Sequence, residues 1–143
     1  MQHKKRVIGF DLDGVLCDIS LPDLAMLHEH DDEEVGLYYI DRKPLLNPKL
    51  FMLEEDEAVC VTARPKQFES ITLTWMKKFY PDIPVMFFDN NVEWFDRPLV
   101  ACEKVKILYR ENVSVYFDDD PAIVRWMRGL SNAIQFIEYG GRL

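Results

Sequence analysis

The stretch Phe10 to Asp18, FDLDGVLCD, places two acids, Asp11 and Asp13, at the end of an apolar run. Val7, Ile8 and Phe10 predict a short buried strand, and Gly14 predicts a sharp turn where the backbone can approach a ligand closely. Such a strand carries its carboxylates to one edge of a sheet. Two acids one residue apart at a core boundary repel each other and both resist desolvation, a conflict that a bound cation resolves. At a separation of ~4 Å and an effective dielectric of about 20, each charge pair is worth roughly 4 kcal/mol, so a divalent ion holds together a cluster that otherwise pushes itself apart. Taken alone, the same residues also fit an Asp pair that opens a surface turn.

Two later apolar runs end in the same way. Ala58 to Val61 leads into Thr62-Ala63-Arg64-Pro65, a hydroxyl donor and a guanidinium at a strand end. Val113 to Phe117 ends in Asp118, Asp119 and Asp120, with Lys104 and Lys106 on the helical segment just before it. In an open α/β sheet the carboxyl ends of the strands form the ligand crevice, so these polar groups are expected to converge there although they are far apart in sequence.

The order FDLDGV, VCVT, a lysine, then VYFDDD resembles the haloacid dehalogenase-like (HAD) superfamily, most of whose members are magnesium-dependent phosphatases acting through an aspartyl-phosphate. The resemblance runs from about Val7 to Ile137. Its first motif is specific and its fourth moderately so, and the joint order carries the threonine and lysine motifs. The stretch TARPKQFESITLTWMKKFYPDIP, Thr62 to Pro84, is also similar to the TARP…T…WL…GIP pattern of small HAD phosphatases related to the 3′-phosphatase domain of phage polynucleotide kinase.

Length and composition predict one compact enzyme domain spanning residues 1–143. An apolar content of 48%, with nine Phe, six Tyr and three Trp, is ample for a core. No apolar run approaches the ~20 residues of a membrane span, and MQHKKRV lacks a signal peptide's apolar stretch. The expectation is a cytoplasmic protein without a membrane partner; the residues do not specify its oligomeric state. Cys17, Cys60 and Cys102 are odd in number and lack CxxC spacing, which fits reduced thiols. A net charge of −8 argues against broad non-specific nucleic-acid binding while leaving room for a local basic patch.

Strands are predicted at Arg6–Phe10, Ala58–Val61, Val85–Phe88, Val113–Phe117 and Ala133–Ile137. Phe68, Ile71, Trp75, Met76 and Phe79 recur at helical spacing before Pro81, so Lys66 to Tyr80 reads as an amphipathic helix. Asp120-Pro121 offers an N-cap and a first-turn proline, with Ile123, Val124, Met127 and Leu130 as the buried face behind them. Trp75 and Trp126 fall on helical faces as core or half-buried residues. The alternation predicts a doubly wound, Rossmann-like parallel sheet of about five strands with helices on both faces. Ile19 to Glu57 is the least regular segment. It must cross back over the sheet, with Pro48–Leu53 as a short helix, and what remains suffices for a small flap but not for a full cap domain. His28 to Glu34 fits a solvated acidic loop better than a metal site. So minimal a cap leaves the site open to bulky or polymeric substrates.

What the resemblance implies about chemistry agrees with the residue types. Asp11 is the nucleophile, attacking phosphorus in line to form an acyl-phosphate. Asp13 protonates the leaving oxygen and then takes a proton from the attacking water. Mg2+ takes oxygen ligands from Asp11, the backbone carbonyl of Asp13 and Asp118, with Asp119 a further or water-mediated ligand. Thr62 and neighbouring backbone N–H groups, Ala63 first, hold the phosphoryl oxygens while Lys104 offsets the charge that builds there. Asp120 reads as a helix cap. Arg64 either forks onto a substrate phosphate or anchors the turn into the next helix. Trp94, Phe95 and Arg97 follow the third strand, where they either pack or stack a nucleobase. Gly140-Gly141 reads as a tail without phosphate-loop context.

Of the two lysines, about 200° apart on a helix, only one can face the catalytic edge. Lys104 shares a side with Leu108 at i, i+4 and lies nearer the helix start, whereas Lys106 points toward solvent. The expected activity is hydrolysis of a phosphomonoester on a nucleotide or a nucleic-acid 3′-phosphate end, with a sugar phosphate or other small metabolite as the alternative. A non-enzymatic receiver-like phosphorelay domain shares the sheet and residue types, but its phospho-acceptor sits on a middle strand, where this chain has Thr62.

Overall fold

The structure is a computed structural model that describes residues 5–19, 23, 26–27 and 29–140. Five strands form one parallel sheet: β1 (Val7–Asp11), β2 (Glu57–Thr62), β3 (Val85–Phe87), β4 (Val113–Asp118) and β5 (Gln135–Glu138). Their order across the sheet is β3-β2-β1-β4-β5. Each predicted strand is present, with no end shifted by more than two residues. β1 is central, pairing Asp11 with Val61 on one side and Phe10 with Phe117 on the other. A central parallel strand is covered on both faces, which is why its sequence is an apolar run rather than an alternation.

Among the described residues four helices of at least nine residues cover the sheet: α1 (Asp32–Ile40), α2 (Glu69–Phe79), α3 (Arg97–Arg110) and α4 (Pro121–Leu130). The alternation along each strand splits the core in two. Phe10, Cys60 and Phe117 pack with Tyr39 of α1 and Trp75 and Met76 of α2. Val59, Val61 and Tyr116 pack on the opposite face with Val105 and Leu108 of α3 and Val124 and Met127 of α4.

The helix ends follow from local chemistry. Asp120 caps α4 by accepting from the backbone N–H groups of Ala122 and Ile123, and Pro121 occupies the first turn. The segment expected as one helix from Lys66 begins instead as a 3-10 turn, Lys66–Phe68, and becomes α-helical at Glu69. Pro48–Phe51 is likewise a 3-10 turn.

The acidic run differs from the solvated loop expected of it. Asp31 caps α1 by accepting from the Glu34 N–H at 2.9 Å, and Asp32, Glu33 and Glu34 form the first helical turn, where their charge suits the helix dipole. His30 Nδ1 pairs with Glu34 Oε2 at 2.6 Å, so this histidine joins the helix start; His28 lies outside the described residues. Among the described residues no helix is long and apolar enough to cross a membrane.

Candidate active site

The sheet order places the ends of β1, β2 and β4 side by side, and between β1 and β4 the chain's winding reverses. A cavity of about 350 Å³ opens there. Its floor holds Asp11, Asp13, Asp118 and Asp119, together with Lys104. Asp11 ends β1 and Asp118 ends β4, so adjacent parallel strands deliver two carboxylates to one spot.

Lys104 stands between them. It is 2% exposed, and its Nζ donates to Asp11 Oδ1 at 3.0 Å and to Asp118 Oδ2 at 2.5 Å. Lys106 is exposed and pairs with Glu103 at 3.0 Å instead. Burial works against the Lys104 charge, but Asp11 and Asp118 outweigh it and hold the ammonium above its ordinary range. Asp118 is further fixed by the Tyr116 hydroxyl, which donates at 3.1 Å, and by the Asp120 N–H at 3.0 Å.

Burial first, then the Asp118 charge, pushes the Asp11 carboxyl up to about 8, against the pull of Lys104. One ammonium therefore does not offset the acids gathered here. Oxygen atoms of Asp11, Asp118 and Asp119 lie within 4.8 Å of one another, an all-oxygen set that suits a hard divalent cation and the positive charge it would add. Gly14 lets this cluster form. Its φ is +89°, and a Cβ there would run into the Asp119 carboxylate. A Cβ at Gly140 would lie 2.7 Å from the Asp119 Cβ, so this glycine, expected only as part of a tail, closes in on the same acid; Gly141 lies outside the described residues.

Asp13 points to a different partner. Arg64 Nε lies 3.1 Å from both carboxylate oxygens of Asp13, and Nη2 lies 2.6 Å from Oδ1. Nη1 donates to Thr72 Oγ1 at 3.0 Å, and Nη2 also reaches Cys17 Sγ at 3.4 Å. Burial opposes the guanidinium charge, yet Asp13 more than compensates and keeps Arg64 above its usual range. Burial and Asp13 push the Cys17 thiol up to about 12, so it remains a neutral acceptor.

Thr62 is buried, and its Oγ1 accepts from the Arg64 N–H at 3.1 Å; Ala63 and Arg64, rather than Thr62, stand on the cavity wall. The remaining wall is amphipathic. Tyr39, Phe68 and Trp94 contribute aromatic surface, and Asp32 and Glu93 contribute charge. Trp94 stacks near the Arg97 guanidinium, 5.6 Å from the ring centroid, while Arg97 pairs with Asp120 at 2.9 Å. Phe95 is 59% exposed and lies off the wall.

Two chains of solved structures, one from the Pnkp1/Rnl/Hen1 RNA repair complex and one from a Pnkp1/Rnl/Hen1 complex, match at 22% identity with TM-scores of 0.59 and 0.60. Each match covers 96% of this chain but only 43% and 47% of the other, so this chain spans less than half their length. A HAD-superfamily hydrolase of subfamily IA from Geobacter sulfurreducens PCA matches at 11% identity and a TM-score of 0.52, over 94% of this chain and 87% of its own. The chain has the HAD-like fold. Neither a protein-family model nor a curated protein sequence matches it. In this HAD-like fold the polar groups stand at the carboxyl ends of β1, β2 and β4, as the motif order implies.

The partners of Arg64 were not legible in sequence. Tyr39 and Thr72 lie in different helices; Tyr39 belongs to no motif, and Thr72, although inside the Thr62–Pro84 pattern, carries no sign there of its pairing with Arg64. Tyr116 carries a weak signal, an aromatic hydroxyl two residues before a strand-end acid.

Proposed function

We propose that residues 1–143 form one phosphatase domain, a Mg2+-dependent phosphomonoester hydrolase acting through an aspartyl-phosphate. The observation that carries this reading is Lys104 held between Asp11 and Asp118 on the floor of an open cavity, with Asp13 beside them. Asp11 attacks phosphorus, forming the Asp11 O–P bond as the bond to the leaving oxygen breaks, and Asp13 gives that oxygen its proton. Water then attacks the same phosphorus while Asp13 takes its proton; the Asp11 O–P bond breaks, and inorganic phosphate leaves.

Lys104 and the backbone N–H of Ala63 offset charge on the phosphoryl oxygens, with Thr62 bracing that turn from below. Asp11, Asp118 and Asp119 would hold Mg2+, with the Asp13 carbonyl as a further ligand, and the ion would offset the acids and the substrate phosphate. Arg64 spends its donors on Asp13, Thr72 and Cys17, so we assign it to orienting Asp13 rather than to gripping substrate. In metal-free protein, adding Mg2+ is expected to raise the thermal midpoint, and Asp118→Asn to abolish most of that rise at the same Mg2+ concentration. An equal rise in both proteins would remove Asp118 from the metal site.

The substrate we propose is a nucleotide or a nucleic-acid 3′-phosphate end. Support comes from the aromatic wall and from the likeness to chains of an RNA repair complex. A specific observation keeps a small sugar phosphate or similar metabolite as the second reading. Among the described residues the basic side chains on the wall are His30, Arg64 and Lys104, each is paired with an acid, and Asp32 and Glu93 face the same space. A panel of nucleoside monophosphates, 3′-phosphorylated oligonucleotides and sugar phosphates under Mg2+ tests the order. Oligonucleotides are expected to be accepted at least as well as mononucleotides, with affinity falling as salt rises. Strong preference for a sugar phosphate, with oligonucleotides turned away, reverses it.

A further inference from the structure

Helix α1 lines the cavity with Asp32, Val35 and Tyr39, and Tyr39 meets the Arg64 guanidinium. Tyr39 is 4% exposed and lies on the buried face of α1 with Val35. The Arg64 guanidinium carbon lies 3.7 Å from the centroid of its ring, and the ring is braced edge-on by Phe68, with centroids 5.3 Å apart.

The hydrogen bonds of Arg64 act in the guanidinium plane. Asp13 holds Nε and Nη2, and Thr72 holds Nη1. In-plane bonds resist sliding of the guanidinium more than tilting, because a tilt lengthens them only slightly. An aromatic face at stacking distance resists tilt directly and is attracted to the cation as well. Asp13 is bound to the edge of that plane, so its position follows the guanidinium's orientation.

We propose that Tyr39 is a positioning residue for the hydrolysis, holding Arg64 flat so that Asp13 stands at the leaving oxygen. The insert between β1 and β2 is then part of the reaction centre and not only a cover over it. This inference rests on the proposed role of Asp13 as proton donor. Displacements of ~1 Å in a reacting group can cost about a hundredfold in rate, so an indirect role through Asp13 is large enough to measure.

The test uses two substrates of nearly the same shape, phenyl phosphate and p-nitrophenyl phosphate. Phenolate is the more basic leaving group and depends more on a donated proton. For Tyr39→Leu, kcat/KM on phenyl phosphate is expected to fall roughly tenfold to a hundredfold, and on p-nitrophenyl phosphate less than about threefold, within the range general acids contribute. Tyr39→Phe, which keeps the ring, is expected to restore the wild-type ratio between the two substrates. Because Tyr39 acts through Asp13, adding Tyr39→Leu to Asp13→Asn should cost little beyond Asp13→Asn alone.

Should Tyr39→Leu fail to fold by circular dichroism, Tyr39→Met fills the space without a π face and serves the same comparison. An equal fall on both substrates, or full additivity with Asp13→Asn, overturns the inference and leaves the phosphatase reading standing. A wild-type protein that hydrolyses neither substrate overturns that reading, and the inference with it.

Discussion

Asp11→Asn is expected to abolish hydrolysis of any phosphomonoester, including p-nitrophenyl phosphate, which needs no proton donor to leave. The amide keeps the shape of the side chain but cannot form the Asp11 O–P bond, so the covalent step has no substitute. Losses of about 10⁶-fold accompany removal of a nucleophile in enzymes whose residues act as a unit, which places residual turnover below ordinary detection. The fold should survive the change.

Burial and Asp118 raise the Asp11 carboxyl from 3.8 to about 8. For a group whose folded-state value is raised, the favourable contribution is complete below the unfolded value and is lost as pH rises through the folded one. Metal-free wild-type protein should therefore lose stability relative to Asp11→Asn between about pH 4 and pH 8. Thermal midpoints of the two proteins across that range check the sign, and near-normal turnover by Asp11→Asn would sink the covalent mechanism.

Lys104→Ala should lower turnover by about a hundredfold to a thousandfold, the scale on which single preorganised charge-stabilising donors act. Lys106→Ala should change it by less than about twofold, because an exposed lysine paired with Glu103 contributes little. Lys104→Ala also leaves Asp11 and Asp118 buried without their shared cation, and breaking a buried pair in this way typically costs about 3–5 kcal/mol. Assays should therefore run well below the variant's melting temperature and under Mg2+, which on the proposed mechanism would restore positive charge at the acids. Steady-state kinetics on both variants decide the matter: a large loss in Lys106→Ala with Lys104→Ala near normal would move the lysine assignment.

The aromatic side chains divide along the same line as the charged ones. Trp75 is core at 4% exposure, and its indole N–H donates to the Arg42 carbonyl at 2.8 Å. Trp126 occupies an equally helical position yet is 50% exposed. Trp94, for which the sequence favours packing over base stacking, lies on the cavity wall with a buried Nε1 that has no hydrogen-bond partner there. A buried donor left unpaired costs roughly 1–3 kcal/mol, so its setting is one the sequence pattern would not favour.

The sequence alone determined the sheet, its strand ends and the floor of the site. Buried parallel strands must be apolar on both faces, so an acid or hydroxyl that stops such a run marks the carboxyl edge; Asp11, Thr62 and Asp118 were legible for that reason. Lys104 was legible because helical periodicity relates it to Leu108 and separates it from Lys106. Tertiary structure decided what lies across the loops. Arg64, in the loop after β2, meets Asp13 from 51 residues away and Thr72 of the following helix, and Tyr39 comes from a helix with little amphipathic contrast, inside the least regular segment of the chain. Periodicity reports which residues share a face of one element, whereas contacts between elements depend on how loops close and cores pack, and no local pattern encodes them.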